Sequence, residues 1–181
     1  MNRQEDMIRR AQHVITSYHE AGHAVMAMST GFIVTEISSV ASADGQGHVI
    51  WQQSHPTTNA SHVASVMTYA AGMAADYIHW NNLTTHNKSE LCLGGQSDHA
   101  NAQEHLIALG HQSVFEDYLC LSIIHLKKPN VWRWVEFFAQ MMMEIKVING
   151  QDVLYKARKS IPKLSQEELE LLWCAIERKL R

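Results

Sequence analysis

The chain has few of the features that mark secreted, membrane or nucleic-acid-binding proteins. Its three cysteines, Cys92, Cys120 and Cys174, are odd in number and lack CxxC spacing, which predicts a reduced, cytoplasmic setting. No apolar run reaches the roughly 18 residues of a membrane-spanning helix, and the N-terminus is too polar for a secretory signal. A net charge of −3 provides no electrostatic basis for binding nucleic acid or an anionic membrane.

Internal repeats, low-complexity segments and the GxxxxGKS/T loop of many ATP-binding proteins are also missing from the sequence. The chain has 181 residues, of which 46% are hydrophobic and 18% are charged. This length and composition predict one globular domain, or one domain with an appended helical bundle, that is large enough to bury a core.

The spacing of apolar residues predicts a mostly helical chain. The predicted helices run from about residue 8 to Gly31, from after Thr57, from Ser97 or Asp98 to Gly110, over 113–127, over 130–149 and from Ser165. Ser165 and Glu168 form a capping box for the last of them. In the helix after Thr57, the residues predicted to face inward are Val63, Val66, Met67, Ala70, Ala71 and Ala74.

One segment has the pattern of β-structure. Alternating β-branched residues over 33–53, with Asp44, Gly45 and Gly47 between them, predict an antiparallel hairpin that ends before Pro56. The polar segment 81–96 is expected to be a long loop. The predicted fold class is therefore mostly α (α+β), with a small antiparallel β-hairpin and a helical C-terminal region.

The sequence YHEAGHAV at residues 18–25 contains an HExxH pattern. On an α-helix, positions four apart lie on one face, so His19 and His23 can each offer a ring nitrogen to one Zn²⁺. Glu20 lies beside that face, where it can accept the proton of a zinc-bound water without being a ligand. Gly22 allows another backbone to approach this helix closely.

The pattern alone does not decide between a zinc site and an ordinary amphipathic helix. HExxH also arises by chance in a chain with 12 histidines, and a histidine on a half-buried helix is commonly a hydrogen-bonded core residue. Catalytic zinc also needs a third protein ligand beside its open position. That ligand must come from a second region of the chain.

Three motifs, in this order, resemble the peptidase domain of the FtsH family of zinc proteases. They are ITSYHEAGHAVMAM at 15–28, YAAGMAADYI at 69–78 and GGQSDHANA at 94–102. Family members carry a YHEAGHA helix, an A-G-x-A-A-E helix and a G-x-x-x-D-x-x-x-A helix start. Gly94, Asp98 and Ala102 match the last pattern, and Asp98 lies 75 residues beyond His23, a separation similar to that in the family.

The resemblance implies roles for five residues. It makes His19, His23 and Asp98 the zinc ligands and Glu20 the catalytic base. Asp76 stands where the family has a glutamate, and it is expected to orient a ligand histidine from beside the site.

The resemblance also implies a helical, zincin-like peptidase core over 1–112. The C-terminal third matches the family only in being helical, and we expect a helical bundle over 113–181 that packs on the core as part of one compact domain. The hairpin corresponds to the family's edge strand, on which an extended substrate pairs through backbone hydrogen bonds. The FtsH family places a membrane anchor and an ATP-driven AAA module ahead of this domain. Here the HExxH motif lies near residue 20, so we expect a stand-alone relative that works without ATP.

Alternative interpretations remain open in and near the third motif. Asp98 could act only as the N-cap of its helix. His99, where the family usually has an apolar residue, is an alternative ligand. Cys92 is either a latent occupant of the open zinc position or a structural or exposed cysteine. Eight further histidines lack ligand spacing and are interpreted as surface or core residues. They are His48, His55, His62, His79, His86, His105, His111 and His125.

The sequence thus predicts an ATP-independent zinc metalloendopeptidase that cleaves peptides or unfolded proteins with a zinc-bound water activated by Glu20. One alternative is a non-catalytic, zinc-containing protein-binding module of the same fold, although an intact Glu20 favours the enzyme. Another is a zinc hydrolase of non-peptide amides. Homo-oligomerisation and a separate partner protein are left open. One cluster of aromatic residues and methionines is interpreted either as core or as a partner-binding groove. It comprises Trp132, Trp134, Phe137, Phe138 and Met141 to Met143.

Overall fold

The computed structural model describes residues 3–41, 47–52, 58–82 and 95–181, with side chains from residue 12 onward. Within these ranges the chain is mostly helical and carries one small antiparallel sheet, as the sequence predicts. In chain order the elements are helix α1 (Arg3–Ser29), strands β1 (Ile33–Ser38) and β2 (His48–Gln52), helices α2 (Asn59–Asn82), α3 (Gln96–Leu109), α4 (Phe115–Leu126) and α5 (Pro129–Ile145), strand β3 (Val147–Ile148), and helices α6 (Gln151–Ser160) and α7 (Gln166–Leu180).

Helices α1 and α2 pack against each other at the centre of the fold, and their backbones lie close together at Gly22. A β-carbon on Gly22 would lie 2.5 Å from the carbonyl oxygen of Ala71 and 2.6 Å from the β-carbon of Ala75. Only glycine therefore permits this approach. All six residues predicted for the inward face of α2 are buried, because that face lies against α1 and α4.

The other helices surround this pair. Helices α3, α4 and α7 pack on α2, and α5 packs on α1. Their apolar side chains join those of α1 and α2 in one hydrophobic cluster, in which Tyr118 and Phe138 are fully buried. Phe137, in contrast, remains 42% exposed, so the aromatic cluster of α5 is only partly core. The division of the chain at residue 112 stays a prediction.

The predicted capping box of α7 is confirmed. The backbone N–H of Glu168 donates to the Ser165 hydroxyl over 3.1 Å, and the backbone N–H of Ser165 donates to the Glu168 carboxylate over 2.7 Å. These reciprocal bonds satisfy two N–H groups that the helix itself leaves without acceptors. No helix in the described part of the chain is long and apolar enough to cross a membrane.

The sheet has the strand order β2-β1-β3. Strands β1 and β2 form the predicted antiparallel hairpin, with Ile37 opposite Val49. The turn predicted at Asp44 and Gly45 lies outside the described residues, as do Pro56, Thr57 and most of the predicted loop at 81–96.

The third strand corrects the helix predicted over 130–149. Helix α5 ends at Ile145, and Lys146 adopts a positive φ of 62° that redirects the chain. Val147 and Ile148 then pair with β1. Two β-branched residues that gain a strand partner are more stable in a sheet than in a last helical turn.

Candidate metal centre

Helix α1 places three residues of the HExxH pattern in a buried position. His19, Glu20 and His23 are 9%, 6% and 4% exposed, although each has a polar side chain. The rings of His19 and His23 lie one helical turn apart, with centroids separated by 4.7 Å and planes at 78°. Buried polar groups need partners, so the partners of these rings define what the site can bind.

The Nδ1 atom of each ring faces an acceptor on α2. In His19 it lies 2.7 Å from Oδ2 of Asp76, and in His23 it lies 2.7 Å from the carbonyl oxygen of Thr68. A carboxylate and a backbone carbonyl both accept hydrogen bonds, so each Nδ1 donates, and a ring that is neutral then has its lone pair on Nε2. This arrangement is typical of metal-binding histidines, whose second nitrogen is held by a carboxylate or a backbone carbonyl.

Asp98, on α3, faces the two free ring nitrogens. Its Oδ2 atom lies 3.0 Å from Nε2 of His19 and 3.4 Å from Nε2 of His23. The three ligand atoms lie within 4.8 Å of one another, and no other described group of three or more such residues converges in this way. Two imidazole nitrogens and one carboxylate oxygen are a donor set suited to zinc.

The interpretation of Asp98 as a helix N-cap is wrong. Helix α3 begins at Gln96, earlier than predicted, and its N-cap is Gly95, which makes no side-chain cap bond. Asp98 is the third residue of the helix, and its carboxylate points to the histidines instead of capping a backbone N–H.

Gly72 on α2 makes room for the ring nitrogens. A β-carbon at this position would lie 2.5 Å from Nε2 of His19 and would collide with Nε2 of His23. The space between α2 and the two rings therefore exists only because residue 72 has no side chain. Donor set, ring orientation and this space all fit a single metal ion.

The charges of the site stabilise one another. Burial lowers the pKa of His19, but hydrogen bonds to Asp76 and Asp98, together with the charges of Asp76 and Glu20, outweigh burial and raise this pKa well above its ordinary value. Burial raises the pKa of Asp98, yet the charge of His23 and hydrogen bonds from both rings leave it below its ordinary value. A cation bound at Asp98 and the two Nε2 atoms would displace the ring protons that otherwise bond to this carboxylate.

Glu20 lies on the strand side of the site. A β-carbon on Gly47, just before β2, would lie 2.6 Å from its Oε1 atom, so the start of β2 covers this carboxylate. Burial raises the pKa of Glu20, and the charges of His23 and His19 partly offset that effect. Such a carboxyl accepts and returns a proton more readily than an exposed one near neutral pH.

His99, one of the alternative ligands, does not join this group. His99 is exposed, its Nε2 lies 3.2 Å from the side-chain nitrogen of Gln103, and its ring contacts Phe115 edge-on. Cys92 and Gly94 lie outside the described residues.

Two contacts between distant segments were not apparent in the sequence. Trp51 of β2 stacks on His23 with centroids 6.5 Å apart, and His62 and His105 are 2.9 Å apart, Nδ1 to Nδ1, across α2 and α3. No spacing rule links these residues. Gly72 had a signal, because it lies in the motif that also contains Asp76.

A scan against models of known protein families gives no match, and a search of curated proteins gives none either. The resemblance to the FtsH peptidase domain therefore rests on the three motifs alone.

Proposed function

We propose that the protein is a zinc metalloendopeptidase with a zincin-like domain related to that of the FtsH family. The observation that carries the proposal is the convergence of His19 Nε2, His23 Nε2 and Asp98 Oδ2 within 4.8 Å, beside the buried carboxyl of Glu20. Three protein ligands and a nearby acid–base group are what a catalytic zinc site requires, whereas a structural zinc site has four protein ligands.

Each residue has a defined task in peptide hydrolysis. His19, His23 and Asp98 hold Zn²⁺, which when bound polarises the scissile carbonyl and lowers the pKa of water. Glu20 accepts the proton of the attacking water and returns it to the leaving amine. Asp76 keeps the His19 ring in the tautomer whose Nε2 is free.

Strand β2 is the proposed platform for substrate. Within the described residues it pairs only with β1, so its other edge can accept an extended peptide through backbone hydrogen bonds. Gly47, at the start of this strand, lies against Glu20, which brings such a peptide to the acid–base group. Backbone pairing is tolerant of sequence, so the expected substrates are varied peptides and unfolded proteins, cleaved in the cytoplasm without ATP.

The test compares purified parent protein with the variants Glu20→Gln and Glu144→Gln on an unstructured fluorogenic peptide library. Glu20→Gln should retain zinc but lose about 10²–10⁴-fold in cleavage, because an amide cannot accept the proton of water. Glu144→Gln, an exposed change on α5, should match the parent. Undiminished cleavage by Glu20→Gln would reject the mechanism. Zinc-loaded parent that binds peptides without cleaving any would identify a non-catalytic binding module instead.

A further inference from the structure

Helix α3, which carries Asp98, buries few apolar side chains. Only three of its 14 residues are buried, and these are Ala102, Leu106 and Leu109. Among the described elements, α2 is its main packing partner. Positions 98, 102, 105 and 109 share one face of a helix because of their spacing. Asp98 and His105 are therefore the polar residues of the face that also carries the buried Ala102 and Leu109.

His105 bonds to a second histidine at the opposite end of this face. Its Nδ1 atom lies 2.9 Å from Nδ1 of His62, which is in the first turn of α2, and the two ring centroids are 5.2 Å apart. One Nδ1 donates and the other accepts, because a hydrogen bond needs a single proton between the two nitrogens. This bond links α3 to α2 about two helical turns from Asp98.

The bond between the two rings depends on their protonation. While at least one ring is neutral, its Nδ1 can accept; when both rings are charged, both Nδ1 atoms carry hydrogen and the bond is lost.

The surroundings oppose the doubly charged state. Burial, and then the charge of His62, lowers the pKa of His105, and the charge of Glu104 on the same helix partly offsets this effect. Tyr69 of α2 stacks on His105 with centroids 6.0 Å apart, and no other described side chain bonds to either ring. The stabilising contribution of neutral His105 is therefore complete above its ordinary pKa of 6.5 and is lost as the pH falls below that value.

We propose that His62 and His105 are positioning residues for Asp98. Their hydrogen bond holds α3 on α2, so that the Asp98 carboxylate stays opposite the Nε2 atoms of His19 and His23, and double protonation of the pair releases α3 at mildly acidic pH. The proposal rests on the proposed function, because it concerns the position of a metal ligand. It adds a pH-dependent control of zinc affinity that lies outside the metal centre.

The first test measures the zinc affinity of full-length variants near neutral pH. His105→Ala lacks the bond to His62 and should bind zinc about tenfold more weakly, the lower end of the range for residues that support metal ligands. His105→Gln should match the parent, because an amide can both donate to and accept from Nδ1 of His62. His99→Gln, an exposed change on the same helix, should also match. Unchanged affinity in His105→Ala would overturn the proposal.

The second test repeats these measurements at about pH 5, where histidines are mostly charged. Every protein should bind zinc more weakly there, because protons compete with the ion for the ligand histidines. The parent should lose about tenfold more affinity than His105→Gln, because the charged pair acts like a lost pair whereas an amide does not titrate. His99→Gln should follow the parent. The same pH profile for the parent and His105→Gln would overturn the proposal.

Hydrogen exchange of the full chain as purified separates this proposal from the proposed function. Near neutral pH, the backbone amides of Ala102 and Leu106 should exchange about tenfold faster in His105→Ala than in the parent, because α3 opens more readily. His105→Gln should exchange like the parent. If the parent binds no zinc, the proposed function fails, and the exchange rates still decide whether the pair holds α3. Equal rates in the parent and His105→Ala would overturn the proposal even if peptides are cleaved.

Discussion

A β-carbon on Gly72 would lie 2.5 Å from the Nε2 atom of His19. Helix α2 therefore approaches the ring of α1 more closely than any residue with a side chain allows. The same helix supplies the Asp76 carboxylate that holds the opposite nitrogen of His19, at 2.7 Å. Helix α2 thus orients the His19 ring through Asp76 and, through Gly72, leaves space in front of the Nε2 atom of that ring.

This relationship predicts the effect of Gly72→Ala. The added methyl group should occupy the space between the rings and weaken zinc binding at least about 100-fold, the upper range for damage beside a metal site. The substitution should not destabilise helix α2 itself, because alanine stabilises a helix interior by about 1 kcal/mol relative to glycine. A loss of zinc would therefore not come from unfolding of this helix. Zinc content is measured after dialysis against a weak chelator.

Gly150→Ala is the control for that experiment, since nothing lies within 4 Å of a β-carbon at this position. It should retain the zinc content of the parent. Full retention of zinc by Gly72→Ala would mean that the ion does not bind in front of these two nitrogens.

Alanine variants of three neighbouring residues should rank in zinc content. Asp98→Ala removes a ligand oxygen and should be emptiest, because two histidines remain. Asp76→Ala frees the His19 ring and should weaken binding by about 10–100-fold. His99→Ala should resemble the parent, because His99 is exposed and contacts Gln103 and Phe115 instead of the site. An empty His99→Ala beside a loaded Asp98→Ala would reverse the ligand assignment.

Cleavage should depend on the folded state of the substrate and not on nucleotide. Short or unfolded peptides should be cleaved without ATP, whereas a stable folded protein should resist, because an edge strand accepts only extended chain. The measurement is gel-based cleavage of one protein in native and permanently unfolded forms, each with and without ATP. A rate that increases when ATP is added to the purified protein would reveal a nucleotide site that the sequence does not indicate.

Protonation of His125 should destabilise the fold at mildly acidic pH. Its folded-state pKa is about 4 and its ordinary value is 6.5, so the unfolded chain binds the extra proton first as pH falls. The stabilising contribution of the neutral ring is therefore complete above pH 6.5 and is lost as the pH falls towards 4. Between about pH 7 and about pH 5 the loss should be about 2 kcal/mol.

Urea unfolding of the parent and of His125→Phe at both pH values measures this effect. The variant replaces the imidazole with a somewhat larger aromatic ring and removes the titrating nitrogens, while neighbouring Lys128 and Glu168 are present in both proteins. The difference in unfolding free energy between the two proteins should shift by about 2 kcal/mol in favour of the variant at the lower pH. A difference that does not change with pH would show that His125 is not buried in its neutral form.

Local features of this protein are set by the sequence itself. His19 and His23 share a face because four residues make slightly more than one helical turn, whatever surrounds the helix. The capping box of Ser165 and Glu168 is local for the same reason, since its bonds close within one turn. The burial of the predicted α2 face also followed from apolar spacing, which determines which side of a helix avoids water.

Features that join distant segments depended on tertiary structure. The sheet partner of β1 at Val147 and Ile148 is more than a hundred residues away in the sequence, and no local pattern distinguished that pair from the end of a helix. The convergence of His62 with His105 depends in the same way on how α3 packs against α2.

The candidate site combines both kinds of information. The helix pattern presents His19, Glu20 and His23 together, and the motif resemblance named Asp98 and Asp76. Two further features depend on the packing of α2 on α1. They are the hydrogen bond of His23 to the Thr68 carbonyl and the space left by Gly72. A backbone carbonyl is present at every residue, and a glycine has no functional group. The residue type alone therefore does not indicate what either group does. Only the approach of a second helix gives either of them a chemical role.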